Sequence, residues 1–174
     1  MSTIYEDTRQ QKDKHNSKHI WFAEHGIELV RKKLDFGDYM TELSNISIDT
    51  KRSIGEVCQN VTRDHARFIR EIERAEESGF RLVFLIEQGK TYKTLDDIAG
   101  WHSDACMRCV HRRTMMCDMS TTPCAKYPRR PVQGETVLKI LRSIMDAHGC
   151  SFEMVSPSMS AQRICELLGV SYDG

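Results

Sequence analysis

The sequence has no long apolar run, no signal sequence and no excess of charge of either sign. No stretch approaches the roughly 20 consecutive apolar residues that a membrane-spanning helix requires. The first seven residues, MSTIYED, do not form a basic segment followed by an apolar one. Lysine plus arginine and aspartate plus glutamate both number 25, so the formal net charge is zero. We therefore expect an intracellular protein without a membrane anchor, in which any nucleic-acid surface is local.

The composition does not indicate a disulfide framework or a multidomain chain. Thiols of intracellular proteins stay reduced, so the seven cysteines call for another explanation. With 174 residues, of which 40% are hydrophobic, the chain can form one domain with its own core and is marginal for two. We therefore expect a single domain over residues 1–174.

Residues 36–51, FGDYMTELSNISIDTK, are predicted to form a β-hairpin with strands 36–43 and 46–51 and a turn at Ser44-Asn45. Because strand side chains alternate between faces, one face of the second strand carries Asp49 and Lys51. The first strand brings Asp38 close to them. Two carboxylates beside a lysine suit a divalent cation and an attacking water, as in phosphodiesterases. The alternative is a solvated hairpin face with an ordinary ion pair.

The remaining pattern predicts an α/β fold. Strands are expected at residues 3–7, 27–34, 82–86 and 151–155, and helices after Asn16 or Ser17, from Ser53 to Gly79, at 135–148 and at 160–168. The run LVFLI at 82–86 is apolar throughout, as in a strand covered on both faces. This order indicates a mixed central β-sheet flanked by helices.

Two basic segments have two interpretations each. The lysines and histidines of residues 10–19 form either a solvated loop or an edge that faces phosphates. On the long helix, Arg63 and Arg67 lie opposite the apolar stripe. They either pair with neighbouring glutamates on a solvated face or contact a DNA backbone.

A cysteine cluster lies in residues 90–133, where periodicity is poor. Four cysteines fall within 19 residues: Cys106, Cys109, Cys117 and Cys124. This spacing fits a compact tetrahedral zinc site, and its gaps are shorter than those of the common two-knuckle zinc ribbon. Arg112 and Arg113 belong to a basic patch around them. We interpret residues 90–133 as a zinc-held, DNA-binding insert, because so long an irregular segment needs a structural constraint. Free thiols in an irregular loop are the alternative.

The order YEDTRQ, GDY, IDTK, a long helix and LVFLIE resembles the XPF-type nuclease domain, a family of the PD-(D/E)xK, restriction-endonuclease-like superfamily. The similarity covers residues 4–87 and resumes at 134–155. The Gly37-Asp38 pair is intact, whereas Gln10 stands where the family has a glutamate, and Asp49-Thr50-Lys51 stands for Glu-Arg-Lys. Glu56 is an uncertain counterpart of a further family acid. The residues after 168 are too few for the helix-hairpin-helix domain of many relatives.

The resemblance implies a Mg²⁺- or Mn²⁺-dependent endonuclease that cuts branched or flapped DNA and commonly dimerises. Asp38 and Asp49 would hold the metal, with Asp7 and the carbonyl of Thr50 as further ligands. Lys51 would position the attacking water or the phosphate, and Arg9 would contact a phosphate oxygen. The alternatives are a catalytically inactive DNA- or partner-binding subunit and a sequence-specific restriction-type enzyme. A compact nuclease with an added cysteine module would also suit a virus or mobile element.

Overall fold

A computed structural model describes residues 2–9, 16–119 and 123–172. Its strands are β1 (Ser2–Asp7), β2 (Ile27–Lys32), β3 (Tyr39–Met40), β4 (Ile46–Lys51), β5 (Arg81–Ile86) and β6 (Ser151–Met154). Its helices are α1 (Asn16–Glu24), α2 (Ile54–Thr62), α3 (His65–Glu77), α4 (Asp104–Met107), α5 (Val110–Arg113), α6 (Gly134–Ala147) and α7 (Ser160–Leu168), with 3₁₀ turns at Leu95–Gly100 and Pro157–Met159. The predicted α/β order is confirmed, and the basic residues Lys12, Lys14 and His15, like Gln10, lie outside the described ranges.

The strands form one mixed sheet in the order β2-β1-β3-β4-β5-β6. Strand β3 is antiparallel to both of its neighbours, whereas the β1–β2, β4–β5 and β5–β6 pairs are parallel. Parallel neighbours require a crossover, and helices α1, α2 with α3, and α6 supply these connections. The carboxyl ends of β1, β4 and β5 consequently meet at one edge of the sheet.

Two apolar layers bury the two faces of the sheet. Helices α2, α3 and α6 cover one face, where Phe84 of β5 stacks on Phe152 of β6 with ring centroids 4.8 Å apart. Helices α1 and α7 cover the other face, where Phe22 and Ile164 pack on Ile48. Every residue from 82 to 86 is at most 1% exposed, which confirms the strand that the apolar run predicted.

Two predicted elements differ from the observed ones. The first strand of the hairpin is only Tyr39–Met40, because residues 41–45 leave the ladder. The long helix is two helices with a break at Arg63-Asp64, where Asp64 has φ −100° and ψ 17°. The apolar stripe continues across this break without a glycine or proline, so periodicity alone could not reveal it.

The segment predicted as an insert begins inside the core. Ile98 is fully buried and Trp101 is 7% exposed, and both pack against α6 and its neighbours. From residue 102 to residue 133, no described residue is buried. The exposed segment, called the insert below, is therefore residues 102–133. None of the helices in the described ranges is long and apolar enough to span a membrane.

Candidate active site

Backbone hydrogen bonds bring the three predicted aspartates together at one edge of the sheet. The N–H of Asp7, at the end of β1, donates to the carbonyl of Asp38 at 2.8 Å, and the N–H of Asp38 donates to the carbonyl of Ile48 at 2.7 Å. Asp49 follows directly in β4. Residue 38 thus links the end of β1 to β4, so the fold itself sets the separation of the three acids.

Gly37 makes this arrangement possible. Its φ of +67° lies in the left-handed region, and a Cβ atom there would approach the Ser47 hydroxyl to 2.2 Å. That hydroxyl donates to the carbonyl of Phe36 at 3.2 Å. Only glycine meets both demands, so the Gly-Asp pair has a structural reason independent of chemistry.

Each aspartate side chain has partners in the protein. Asp38 Oδ2 accepts from the Thr50 N–H at 2.8 Å and from its hydroxyl at 2.7 Å. The Lys51 ammonium contacts the Asp49 carboxylate at 2.8 Å. The Arg9 guanidinium contacts Asp7 at 2.5 Å. The carboxylates are therefore held in fixed orientations by neighbouring donors.

The three aspartates open into one cavity of about 400 Å³. Its charged lining consists of six acids (Asp7, Asp38, Asp49, Glu56, Glu71 and Glu87) and four bases (Arg9, Lys18, Lys51 and Arg52). With every group ionised, as metal binding would favour, the six acids and four bases leave a surplus of two negative charges, which one divalent cation would neutralise. Oxygen ligands of this kind are those that Mg²⁺ and Mn²⁺ prefer.

Burial and charge crowding perturb the central ion pair. Asp49 is 5% exposed, and this burial raises its carboxyl pKa; Lys51 opposes the rise, and Asp38 and Glu71 add to it, giving a pKa of about 8. Burial would lower the pKa of the Lys51 ammonium, but Asp49, Asp38 and Glu71 outweigh it and raise that pKa. A cation bound among these carboxylates would favour their ionised forms.

Sequence reasoning missed two acids and a lysine of this cavity. Glu71 of α3 accepts a hydrogen bond from the Gly37 N–H at 3.1 Å. Glu87 pairs with the Lys18 ammonium at 2.5 Å, and Lys18 is only 4% exposed. The position of Glu87 after the buried strand β5 was a usable signal for this site. Nothing local marked Glu71.

Glu56 lies in the cavity wall and also stabilises the start of α2. Its carboxylate accepts from the Arg52 N–H at 2.8 Å, and its own N–H donates to the Ser53 hydroxyl at 3.2 Å. This reciprocal pattern resembles a capping box. A metal-binding role for Glu56 is therefore not required to explain its position.

The predicted DNA-binding arginines occupy different surroundings. Arg63 lines a groove of about 990 Å³ between α2 and the insert. Arg67 is exposed and lies 3.5 Å from Asp64. Arg112 lines a small cavity together with the four cysteines of the insert, and Arg113 donates to the carbonyl of Arg108 at 3.2 Å. The structure does not bring these four arginines together.

A preformed metal cage is absent from the described ranges. Among residues 2–9, 16–119 and 123–172, no three histidine, cysteine, aspartate or glutamate side chains are placed closely enough to hold an ion. The fit of the aspartate site to a hard cation rests on its donor set and its charge surplus. The cysteine cavity is considered separately below.

A mixed six-stranded sheet flanked by helices, with acids and a lysine lining a cavity at the carboxyl ends of its strands, agrees with the restriction-endonuclease-like fold that the sequence predicts. The sequence pattern of the ERCC4 domain matches residues 7–167, so the chain belongs to the ERCC4 domain family. This confirms the resemblance to XPF-type nuclease domains.

The structural comparison agrees with this assignment. The fold is similar to that of XPF from Aeropyrum pernix, with a TM-score of 0.56 and 15% sequence identity. The match covers 95% of this chain and 64% of that chain, so this chain spans less than two thirds of the length of its structural relative. A comparison with curated proteins found no match by sequence.

Proposed function

We propose that this member of the nuclease family is a metal-dependent endonuclease that hydrolyses DNA phosphodiester bonds. The observation that carries the proposal is the convergence of Asp38, Asp49 and Lys51 in one cavity with a surplus of negative charge. Asp7 extends the same acidic wall. The cavity is open, so it leaves room for a phosphate group. An ion pair with a purely structural role would not need this space.

Some side chains of the cavity would bind the metal ion, and others would keep these ligands in position. Asp38 and Asp49 would hold Mg²⁺ or Mn²⁺, with Asp7 and the Thr50 carbonyl as further ligands. When bound, such a cation lowers the pKa of water and offsets negative charge that develops on the phosphate. The Thr50 N–H and hydroxyl keep Asp38 oriented for this role.

Lys51 and Arg9 are the cationic groups in contact with the acids. The Lys51 ammonium is held over the rings of Phe68 and Phe84, at 5.9 and 5.8 Å, so it has little freedom to leave the cavity. It would orient the attacking water or a non-bridging phosphate oxygen. Arg9 is more exposed, with 59% of its side chain accessible, and would contact a phosphate oxygen farther out.

The groove beside α2 provides a path for a DNA strand. It begins at Ser53 and Gln88, next to residues of the active-site cavity, and continues between α2 and the insert. Arg63, Arg129 and Arg130 supply positive charge along it. Arg67, Arg112 and Arg113 stay predicted contacts to DNA outside this groove. Branched or flapped DNA as the substrate, an intracellular location and a homodimer likewise stay predictions.

A cleavage assay tests the proposal. Labelled flap, fork, four-way-junction and linear DNA are incubated with the protein and Mg²⁺ or Mn²⁺. We expect cleavage of the branched substrates, and its loss in Asp38→Ala, Asp49→Ala and Lys51→Ala variants that keep the parent's circular dichroism spectrum. Lys139→Ala, which removes an exposed lysine on α6, should cleave like the parent. Parental cleavage by all three site variants would refute the site assignment.

One observation favours a catalytically inactive DNA- or partner-binding subunit instead. Arg9 and Lys51 already engage two of the aspartates, as they would in a site that no longer binds metal. Titration with Mn²⁺ separates the two functions. An inactive subunit would bind branched DNA without Mn²⁺ affinity, whereas the proposed enzyme should bind Mn²⁺ and lose that affinity in Asp49→Ala.

A further inference from the structure

The two ends of the insert are joined by hydrogen bonds, and the described part of the insert has no apolar core of its own. Its two ends lie side by side. The Gly134 N–H donates to the Trp101 carbonyl at 3.0 Å, and Nδ1 of the His102 ring lies 3.0 Å from the amide oxygen of Gln133. Between these points, no residue in the described part of the insert is buried. Ordering a backbone costs conformational entropy, which apolar burial normally offsets. The insert needs another source of stability.

All four clustered cysteines line one small cavity inside the insert. Cys106, Cys109, Cys117 and Cys124 surround about 20 Å³, a volume of roughly one water molecule. All four are of intermediate exposure, and none of them is in a disulfide. Cysteines 3 to 18 positions apart along the chain therefore line the same space, although no disulfide joins them. A shared ligand explains this convergence, whereas chance burial of apolar thiols does not.

The backbone around the sulfurs has the features of a metal-binding turn. The Cys109 N–H donates to the Cys106 carbonyl at 3.1 Å, which closes the C-x-x-C turn. The Tyr127 N–H donates to the Cys124 sulfur at 3.3 Å, and the Gln133 amide lies 3.9 Å from the Cys106 sulfur. N–H donors directed at sulfur can orient it in the way that outer-shell hydrogen bonds orient metal ligands.

The surrounding charge also suits a thiolate cluster. Four thiolates around one Zn²⁺ carry a net charge of −2. Arg112 and Arg130 line the same cavity and supply two positive charges. Two methionines near Cys117 have left-handed backbones, Met115 at φ 58° and Met119 at φ 62°. Such conformations are costly for residues with a side chain and persist where the surroundings enforce them.

We propose that Cys106, Cys109, Cys117 and Cys124 bind one zinc ion and that this ion holds the insert in its fold. Binding ionises the four thiols, releases four protons to solvent and involves no oxidation or reduction. The described thiols are not yet at coordination distance, so binding must draw the sulfurs together around the cavity. The proposal does not depend on nuclease activity, because it concerns a separate site.

Metal analysis of the full-length protein, expressed without added metal and purified without chelator, tests this proposal. We expect one zinc per chain by elemental analysis. Replacement by Co²⁺ should give the visible absorption of tetrahedral thiolate coordination. Iron in place of zinc, less than about 0.2 zinc per chain, or disulfides among these cysteines in the mass spectrum would each overturn it.

Variants and thiol labelling separate the site from the other cysteines. Cys109→Ser and Cys117→Ser should each lower the zinc content at least fivefold, whereas Cys58→Ser, at a half-buried thiol of α2, should leave it unchanged. Chelation should make four additional thiols reactive to a maleimide and open the insert to proteolysis. The sheet should keep its circular dichroism signal. Four thiols that react equally fast before and after chelation would rule the site out, even if single variants failed to fold.

Discussion

At the scale of single residues, the site depends on positions with no chemistry of their own. Gly37 has a left-handed backbone, and a Cβ there would clash with the Ser47 hydroxyl, while its neighbour Asp38 joins β1 to β4. A substitution that moves this turn would also move Asp38, the proposed metal ligand. The Gly-Asp pair is therefore one structural unit, in which Gly37 supports the position of Asp38.

Gly37→Ala should destabilise the protein by both backbone strain and a steric clash. Gly79 is a matched control, because its φ is +78° but no atom lies within 4 Å of a Cβ built there. We expect Gly79→Ala to lower the free energy of unfolding by about 1–2 kcal/mol. Gly37→Ala should lose about 1–3 kcal/mol more through overpacking, as measured by urea unfolding.

A second variant isolates the steric part of this effect. Adding Ser47→Ala to Gly37→Ala removes the hydroxyl that the new Cβ would meet, so the double variant should recover part of the lost stability. Equal losses in Gly37→Ala and Gly79→Ala would show that the clash is relieved elsewhere. The explanation of the Gly-Asp pair would then reduce to backbone conformation alone.

At the scale of elements, the sequence predicted what periodicity and neighbours along the chain determine. The apolar run correctly marked β5, and the alternation in β4 placed Asp49 and Lys51 on one face, where their side chains are 2.8 Å apart. Short motifs carry Asp7, Asp38 and Asp49, and the structure brings these residues into one cavity. No motif pointed to Glu71, because its position beside Gly37 depends on how α3 packs on the sheet.

Helix α3 is joined to the end of α6 by one carboxylate. Glu76 accepts from the Gly149 N–H at 2.8 Å and lies 3.1 Å from the His148 ring. The Gly149 N–H, and secondarily His148, hold the pKa of Glu76 below its ordinary value. A carboxyl whose pKa falls on folding stabilises the protein above its unfolded pKa, and this contribution disappears as the pH falls through the folded pKa.

Glu76→Gln should therefore destabilise the protein at pH 7 by less than about 1 kcal/mol, since the group is partly exposed. The difference from the parent should stay constant above about pH 5 and shrink below about pH 4.3, the ordinary glutamate value. Urea unfolding from pH 3.5 to 7 measures it. Glu77→Gln, at the next exposed position, should show no such pH dependence. If the difference in unfolding free energy between Glu76→Gln and the parent did not change with pH, the proposed stabilisation by Glu76 would be contradicted.

At the scale of the whole molecule, a net charge of zero conceals an uneven distribution. Residues 102–133 contain six arginines and lysines and two aspartates, a local charge of +4, so the remainder of the chain carries −4. The active-site cavity is acidic, and the groove that leads away from it is lined by arginines. A divalent cation would attract phosphate to the cavity, and the insert would hold the strand beyond it.

This distribution predicts which arginines matter for DNA binding. Arg129→Ala with Arg130→Ala removes two charges from the groove, whereas Arg108→Ala with Lys126→Ala removes two from the insert outside it. Each phosphate contact contributes about 0.9 to the slope of log affinity against log salt concentration. The groove variant should thus reduce the slope by about 1–2, and the control variant should leave it near the parental value. Fluorescence anisotropy with a labelled fork at 50–200 mM salt measures both; equal reductions would assign binding to the overall charge of the insert rather than to the groove.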